Sequence, residues 1–172
     1  MIMMDYVDKL TLEVFEEILD FFPQKARYFY FAVQNIDDYS LLYEWMRENS
    51  EYTISEVAVS RWPGTGTDFS FSEKNDTIGI KVRITNESKE SLLQSVLPKL
   101  LSRDYSLGYD IGCDISILQE DGHPWFITVR HEGYAYFLLH ENEVAYACQI
   151  FDGRIEKYIH TGSLEHSYNQ TY

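Results

Sequence analysis

The sequence predicts an α+β protein in which one helix precedes a split βαβ unit and a β-meander follows it. Apolar residues recur with a helical period in three segments, and strand-like runs separate those segments. From residue 111 the apolar period becomes two and stays so. The order strand, helix, strand, strand, helix, strand over about residues 27–118 is the βαββαβ order of a ferredoxin-like fold.

The first helix is predicted in "TLEVFEEILDFFPQ", where apolar residues form one stripe and acidic residues occupy the remaining surface. Thr11 is a candidate N-cap, and Pro23 is expected to close the helix. The run "RYFYFAVQ" that follows is dense in aromatic and β-branched residues, and it predicts the first strand of the βαββαβ unit.

The two helices of this unit are predicted in "IDDYSLLYEWMREN" and "NESKESLLQSVLPKLLSRDY", which share an i, i+1, i+4, i+5 apolar stripe. Asp37 or Asp38 is expected to cap the former and Asn86 the latter. Pro98 is expected to kink the latter, because proline lacks the backbone donor. Strands are predicted at 51–62 and 77–85, separated by a polar loop.

Five short runs after residue 111 predict a C-terminal antiparallel β-meander: "IGCDISIL", "PWFITVR", "YAYFLLH", "VAYACQIF" and "RIEKYI". The "DG" between the last two is typical of a two-residue hairpin turn. Residues 160–172 are polar and are expected to fray. A chain of 172 residues fits a single domain, 1–172.

The net charge of −14 is concentrated in the two ends of the chain. Residues 1–60 carry a net −8, residues 61–104 a net +1 and residues 105–172 a net −7. Such a field repels nucleic acid and anionic membranes and attracts basic surfaces. We therefore expect a basic protein partner, with no direct nucleic-acid or membrane binding; solubility alone is the alternative explanation of the charge.

The chain carries no motif that indicates catalysis. It has no Gly-x-Ser-x-Gly elbow, and neither Cys113 nor Cys148 stands in a signature of a catalytic thiol. We expect no enzymatic activity and no cofactor. The N-terminus lacks the basic and apolar regions of a signal peptide, and no run approaches the roughly 20 apolar residues of a membrane span. A cytoplasmic location follows as an expectation.

The histidines offer one candidate site for a metal or a general base. If strands 124–130 and 134–140 pair across "HEG", residue 124 faces residue 140, and His123 and His140 meet at the open end of the hairpin. Four carboxylates share that end, and the set could bind zinc or act in acid–base chemistry. Ordinary exposed turns also contain such residues. The carboxylates are Glu120, Asp121, Glu141 and Glu143.

An interaction surface is the other candidate site. "YAYFLLH" is apolar on both faces, so it is covered on both sides, either by the chain's own helix or by a partner. Tyrosines ringed by carboxylates suit a basic partner. The Gly-rich segment "WPGTGTD" could add a mobile lip. The predicted partner-binding residues are Glu120, Asp121, Tyr134, Tyr136, Glu141, Glu143, Trp62 and Asp68.

This small, acidic, Tyr-rich α+β chain resembles the immunity proteins that neutralise polymorphic or contact-dependent bacterial toxins. The resemblance lies in composition and organisation over the whole chain, and it assigns no residue. It implies binding to a basic toxin domain, for example a nuclease, and blocking of its active site. Two alternatives remain open: a small metal-dependent hydrolase or ligand-binding domain that uses the His123/His140 end, and an acidic mimic of nucleic acid.

Overall fold

The α+β class is confirmed by the computed structural model, which describes residues 2–5, 11–21, 25–34, 36–59, 62–63, 77–102, 113–129, 134–139, 143–145 and 147. The strands are β1 Ile2–Asp5, β2 Tyr28–Val33, β3 Thr53–Ala58, β4 Ile78–Arg83, β5 Asp114–Leu118, β6 Pro124–Val129 and β7 Tyr134–Phe137. The α-helices are α1 Leu12–Phe21, α2 Ile36–Glu48, α3 Asn86–Ser95 and α4 Leu97–Ser102. A short 3₁₀ turn, Ser50–Tyr52, joins α2 to β3.

The seven strands form one sheet in the order β1-β7-β6-β5-β2-β4-β3, and every neighbouring pair is antiparallel. β2 lies between β5 and β4, and all six of its residues are buried. β3 ends the row of described strands on one side, and its residues are mostly exposed. The centre and the end of the sheet therefore differ strongly in solvent contact.

One face of the sheet carries the main core, to which all four helices contribute. Phe15 of α1 stacks on Phe29 of β2 at 6.3 Å and meets Phe126 of β6 edge-on at 5.9 Å. Burial of each such side chain stabilises the fold by about 1.5–3 kcal/mol. The amphipathic stripes recognised in the sequence face this core through Ile18, Leu19, Leu42, Trp45, Met46, Leu92, Val96, Leu97 and Leu100.

The opposite face of the sheet carries a smaller cluster around the tyrosines of β2. Tyr28, Tyr30, Leu118 and Trp62 pack together there. Tyr30 passes so close to Gly79 of β4 that a Cβ at position 79 would lie 2.2 Å from the phenol oxygen. Any larger residue at this position would require the Tyr30 ring to shift.

Helix ends follow local capping chemistry. The hydroxyl of Thr11 accepts a hydrogen bond from the backbone N–H of Val14 at 3.3 Å, as predicted. Thr85 caps α3 reciprocally with Ser88, so the predicted cap at Asn86 is wrong by one residue. Asp37 and Asp38 lie in the first turn of α2. The break expected at Pro98 occurs, since α3 ends at Ser95 and α4 begins at Leu97.

Two expectations for the C-terminal part are wrong. Residues 143–145 and 147 are helical, although a strand was predicted from 144 to 151. Val144 and Ala147 both pack on the core at the i, i+3 spacing of a helix. In the β6–β7 hairpin, Phe126 faces Phe137 and Val129 faces Tyr134, a register shifted by one residue from the predicted one.

Several features fall outside these expectations or outside the described residues. β1 was not anticipated, and it pairs with β7. Pro23, the run "RIEKYI" and the tail 160–172 lie outside the described residues. Among the helices that are described, none combines the length and the apolar character needed to cross a membrane.

Candidate functional site

The acidic turn between β5 and β6 is engaged with neighbouring side chains. Glu120 is exposed, and it accepts a hydrogen bond from the Tyr28 hydroxyl at 3.2 Å. Its other oxygen lies 3.7 Å from Nε of Arg27. The ammonium of Lys81 lies 4.5 Å from the centre of the Tyr28 ring, and burial lowers the pKa of Lys81. Glu120 thus belongs to a local network with two cations and a phenol.

Asp121 is occupied by the backbone of the same turn. It accepts a hydrogen bond from the backbone N–H of His123 at 3.0 Å, and its second oxygen lies 3.2 Å from Nδ1 of that imidazole. The backbone hydrogen bond lowers the pKa of the Asp121 carboxyl, because it stabilises the ionised form. The contact is an Asx-type turn, which is a common structural use of aspartate.

Glu143 forms an ion pair with Lys25, and only 13% and 23% of the two side chains are exposed. Glu143 lies in a helical segment and forms its ion pair within the chain. The sequence had predicted a carboxylate in an exposed turn at the open end of the hairpin. Tyr134 and Tyr136 lie in β7, opposite Val129 and Ile127 of β6. The remaining predicted residues Asp68, Glu141 and His140 lie outside the described residues.

Trp62 is buried, which corrects the expectation that it forms part of a mobile lip. Only 8% of it is exposed, and its indole N–H donates to Oδ2 of Asp114 at 2.8 Å. Asp114 is itself 2% exposed. The pair anchors the segment after β3 to the tyrosine face of the sheet, so the indole is a structural element in this conformation.

The histidine site has one described member. His123 is paired with Asp121 as above, and His140 is not described. Among the residues that the structure describes, no three His, Cys, Asp or Glu side chains are grouped so that they could hold a metal ion. The metal-site hypothesis therefore gains no support from the geometry.

A different surface, formed by α2 and β3, combines exposure with apolar character. All four large apolar side chains that are exposed in the described ranges lie on it. Ile36 is 72% exposed and Tyr43 49% on α2, and Ile54 is 47% and Val57 51% exposed on β3. Single exposed apolar residues are ordinary, but their concentration on one pair of adjacent elements is typical of an interaction site. We name this the α2–β3 surface.

The two elements of the α2–β3 surface, with the turn between them, also carry exposed acids. Five exposed carboxylates accompany a single exposed guanidinium, that of Arg47. Four of these acids take part in no ion pair or side-chain hydrogen bond among the described residues, in contrast to Glu120, Asp121 and Glu143. The four are Asp37, Glu44, Glu48 and Glu51, and the fifth is Glu56.

Tyr39 joins the helix to the strand on this surface. Its hydroxyl donates to Oε1 of Glu56 at 2.6 Å, and its ring stacks on Tyr43 at 5.8 Å. The hydrogen bond to Glu56 raises the pKa of the Tyr39 phenol, because the protonated form makes the contact. Tyr39, Tyr43 and β3 thus form one continuous surface. The hydrogen bond between the Tyr39 hydroxyl and Glu56 fixes the polar end of that surface.

Sequence reasoning missed this surface, although two signals were present. Tyr43 lies off the apolar stripe of its helix, so it had no place in the predicted core. Ile54 and Val57 are three residues apart and break the period of two. The structure has a bulge between Thr53 and Ser55, which accounts for that break.

Comparisons of this chain with protein-family models, with curated proteins and with solved structures return no match.

Proposed function

We propose that this protein is a binding protein that neutralises a basic protein partner, in the manner of the immunity proteins of bacterial toxin systems. One observation carries the proposal: exposed aromatic and aliphatic side chains lie on α2 and β3, the same elements that carry, with the turn between them, five exposed carboxylates. Apolar anchor residues supply the free energy of binding. Surrounding charges of one sign accelerate association with a partner of opposite charge and select that partner over others.

The α2–β3 surface supports the proposal better than the turn between β5 and β6. The carboxylates of that turn and Glu143 are satisfied by Tyr28, His123 and Lys25. Their charge is therefore partly neutralised within the chain. The acids on α2 have no such partner among the described residues, so their field acts on the surroundings.

We also propose that β2 to β5 form a ferredoxin-like unit. Support comes from the lateral order β5-β2-β4-β3, from the antiparallel pairing of each neighbour, and from the helices that follow β2 and β4. In such a unit the second strand, here β3, lies at an edge, which leaves it accessible beside α2.

The test uses the C-terminal domain of the protein encoded immediately upstream of this chain in its genome. That domain is expressed in a bacterial host with and without this chain. We expect the domain alone to arrest growth and coexpression to restore it. The purified pair should form a complex whose affinity falls as salt is raised. A domain that does not bind, or a complex insensitive to salt, would contradict the proposal.

A control variant of equal net charge distinguishes the effect of the α2–β3 surface on binding from the effect of the net charge. The double variant Glu44→Lys/Glu48→Lys reverses two exposed acids one turn apart on α2, and Glu13→Lys/Glu16→Lys does the same on α1. The two variants have the same net charge. We expect the α2 variant to bind the upstream domain at least about tenfold more weakly than the α1 variant, which corresponds to about 1.4 kcal/mol. Equal weakening would indicate a non-specific field.

A further inference from the structure

We propose that the outer edge of β3 receives an extended strand of the basic partner, so that the partner lengthens the sheet by β-strand addition. This inference rests on the proposed function and names how its interface is built. Antiparallel edges bind extended peptides in this way through main-chain hydrogen bonds, and the alternate side chains supply specificity.

β3 has an open side within the described sheet. It pairs only with β4 among the described strands and is the last strand in the row. The backbone N–H of Val59 donates to the carbonyl of Thr77 at 2.9 Å. Hydrogen-bonded residues alternate along an antiparallel ladder, so residues 57 and 55 also face β4. The N–H and C=O groups of Glu56 and Ala58 therefore point away from the sheet.

The side chains of β3 remain accessible along that edge. The exposed residues Glu56, Val57 and Ala58 follow one another, and Ile54 is exposed beside them. No described residue covers these groups. An incoming strand would thus find two outward-facing backbone residues, which offer two donors and two acceptors, together with apolar side chains on which to pack.

Charge decides which strand fits. The edge carries Glu56, and Glu51 lies in the turn that leads into it. An added strand places its residues about 5 Å from those of β3, so a lysine or arginine opposite Glu56 is favoured and an acid is disfavoured. A second copy of β3 would bring glutamate against the same acidic surface. The occupant is therefore an extended segment that alternates basic and apolar residues.

The bulge and the charge of β3 fit this role. Natural proteins protect edge strands against uncontrolled pairing with bulges and charged side chains. β3 has its bulge between Thr53 and Ser55, which limits the regular edge to residues 55–58. Glu56 is held by Tyr39 at 2.6 Å. A short, acidic edge rejects neutral or acidic strands while it still admits a basic one.

The first experiment follows the backbone amides of β3 by NMR while synthetic peptides are added. The probe is a ten-residue peptide of alternating lysine and valine. One control has glutamate in place of lysine, and another is N-methylated at every amide so that neither of its edges can pair. We expect exchange of the Glu56 and Ala58 amides to slow by about tenfold or more with the probe, because a hydrogen-bonded amide exchanges only after opening.

Three results would overturn the inference: unchanged exchange at both amides, equal protection by the glutamate peptide, or equal protection by the N-methylated peptide. A stable dimer of the free protein that is lost on Ala58→Pro would also overturn it, because the occupant would then be a second copy of the chain.

The second experiment uses Ala58→Pro and its matched control Ala58→Ser with the upstream domain. Proline removes an N–H that makes no hydrogen bond to β4, and edge strands tolerate it. We expect Ala58→Pro to weaken the complex by about tenfold or more and Ala58→Ser to leave it within about threefold. If the domain binds both variants equally, strand addition fails while the proposed function stands. If the domain never binds the native chain, the proposed function itself fails.

Discussion

Two acidic regions of this protein use their carboxylates differently. In the turn between β5 and β6, and at Glu143, each carboxylate lies against an internal donor or cation. On α2, β3 and the turn between them, four of the five exposed carboxylates take part in no ion pair or side-chain hydrogen bond within the described residues, and the same elements carry exposed apolar groups. Acidic composition alone therefore does not distinguish the two regions; the local pairing of each acid does.

The largest difference between the regions is expected in stability. Glu143→Gln removes the negative charge from a mostly buried ion pair with Lys25. We expect the free energy of unfolding to fall by about 1–3 kcal/mol. The matched variant Glu48→Gln on α2 should change it by less than about 0.5 kcal/mol. Urea denaturation of both variants measures this, and similar losses would contradict the contrast.

A smaller effect is expected from phenol hydroxyls. Tyr28→Phe removes the hydrogen bond to Glu120, which should cost about 0.5–1.5 kcal/mol of stability. Tyr43→Phe removes a hydroxyl from an exposed ring, for which a change within about 0.5 kcal/mol is expected. Thermal denaturation compares the two. A larger loss for Tyr43→Phe would mean that the α2–β3 surface is held together as tightly as the turn.

The dependence of stability on pH at acid pH, the acid limb of the stability curve, gives a further comparison of the two regions. The folded pKa of Asp121 is lowered, so its contribution is present above the usual value of 3.8 and is lost as the pH falls through the lowered pKa. Asp121→Asn removes this ionisation. We expect the variant and the native chain to converge in stability once the pH falls below the lowered pKa of Asp121. A difference that stays constant with pH would contradict the assignment.

The alkaline limb reports on the α2–β3 surface. The folded pKa of Tyr39 is raised above its usual value of 10.0, so its contribution is complete below that pH. It is lost as the pH rises through the raised value. Tyr39→Phe should therefore lose the slope in stability above about pH 10 while keeping the acid limb unchanged. Unfolding monitored by tryptophan fluorescence measures both limbs, and an altered acid limb would contradict this separation.

The sequence predicts the helices well because their stripes are long and each faces the same core. Leu42, Trp45 and Met46 show this for α2. The sequence predicts strand pairing less well, because a difference of one residue changes the register, as it does between β6 and β7. Burial of Trp62 depends on its bond to Asp114, 52 residues away, which no local pattern contains.

The α2–β3 surface was not predictable for a related reason. A run that alternates apolar and polar residues has the same pattern in a central strand and in an edge strand, and only the sheet order separates them. β3 and β4 were both assigned as strands, yet Val82 is fully buried and Val57 is 51% exposed. The strand pattern of Ile54 and Val57 therefore did not show that both residues are exposed.

The most direct test compares the two acidic regions in binding. The variants Glu44→Lys/Glu48→Lys and Glu120→Lys/Asp121→Lys have the same net charge, and each is titrated against the upstream C-terminal domain by calorimetry. If the α2–β3 surface holds the partner, the former variant weakens affinity by about tenfold or more and the latter by less than about threefold. An equal or larger loss for Glu120→Lys/Asp121→Lys would contradict the account.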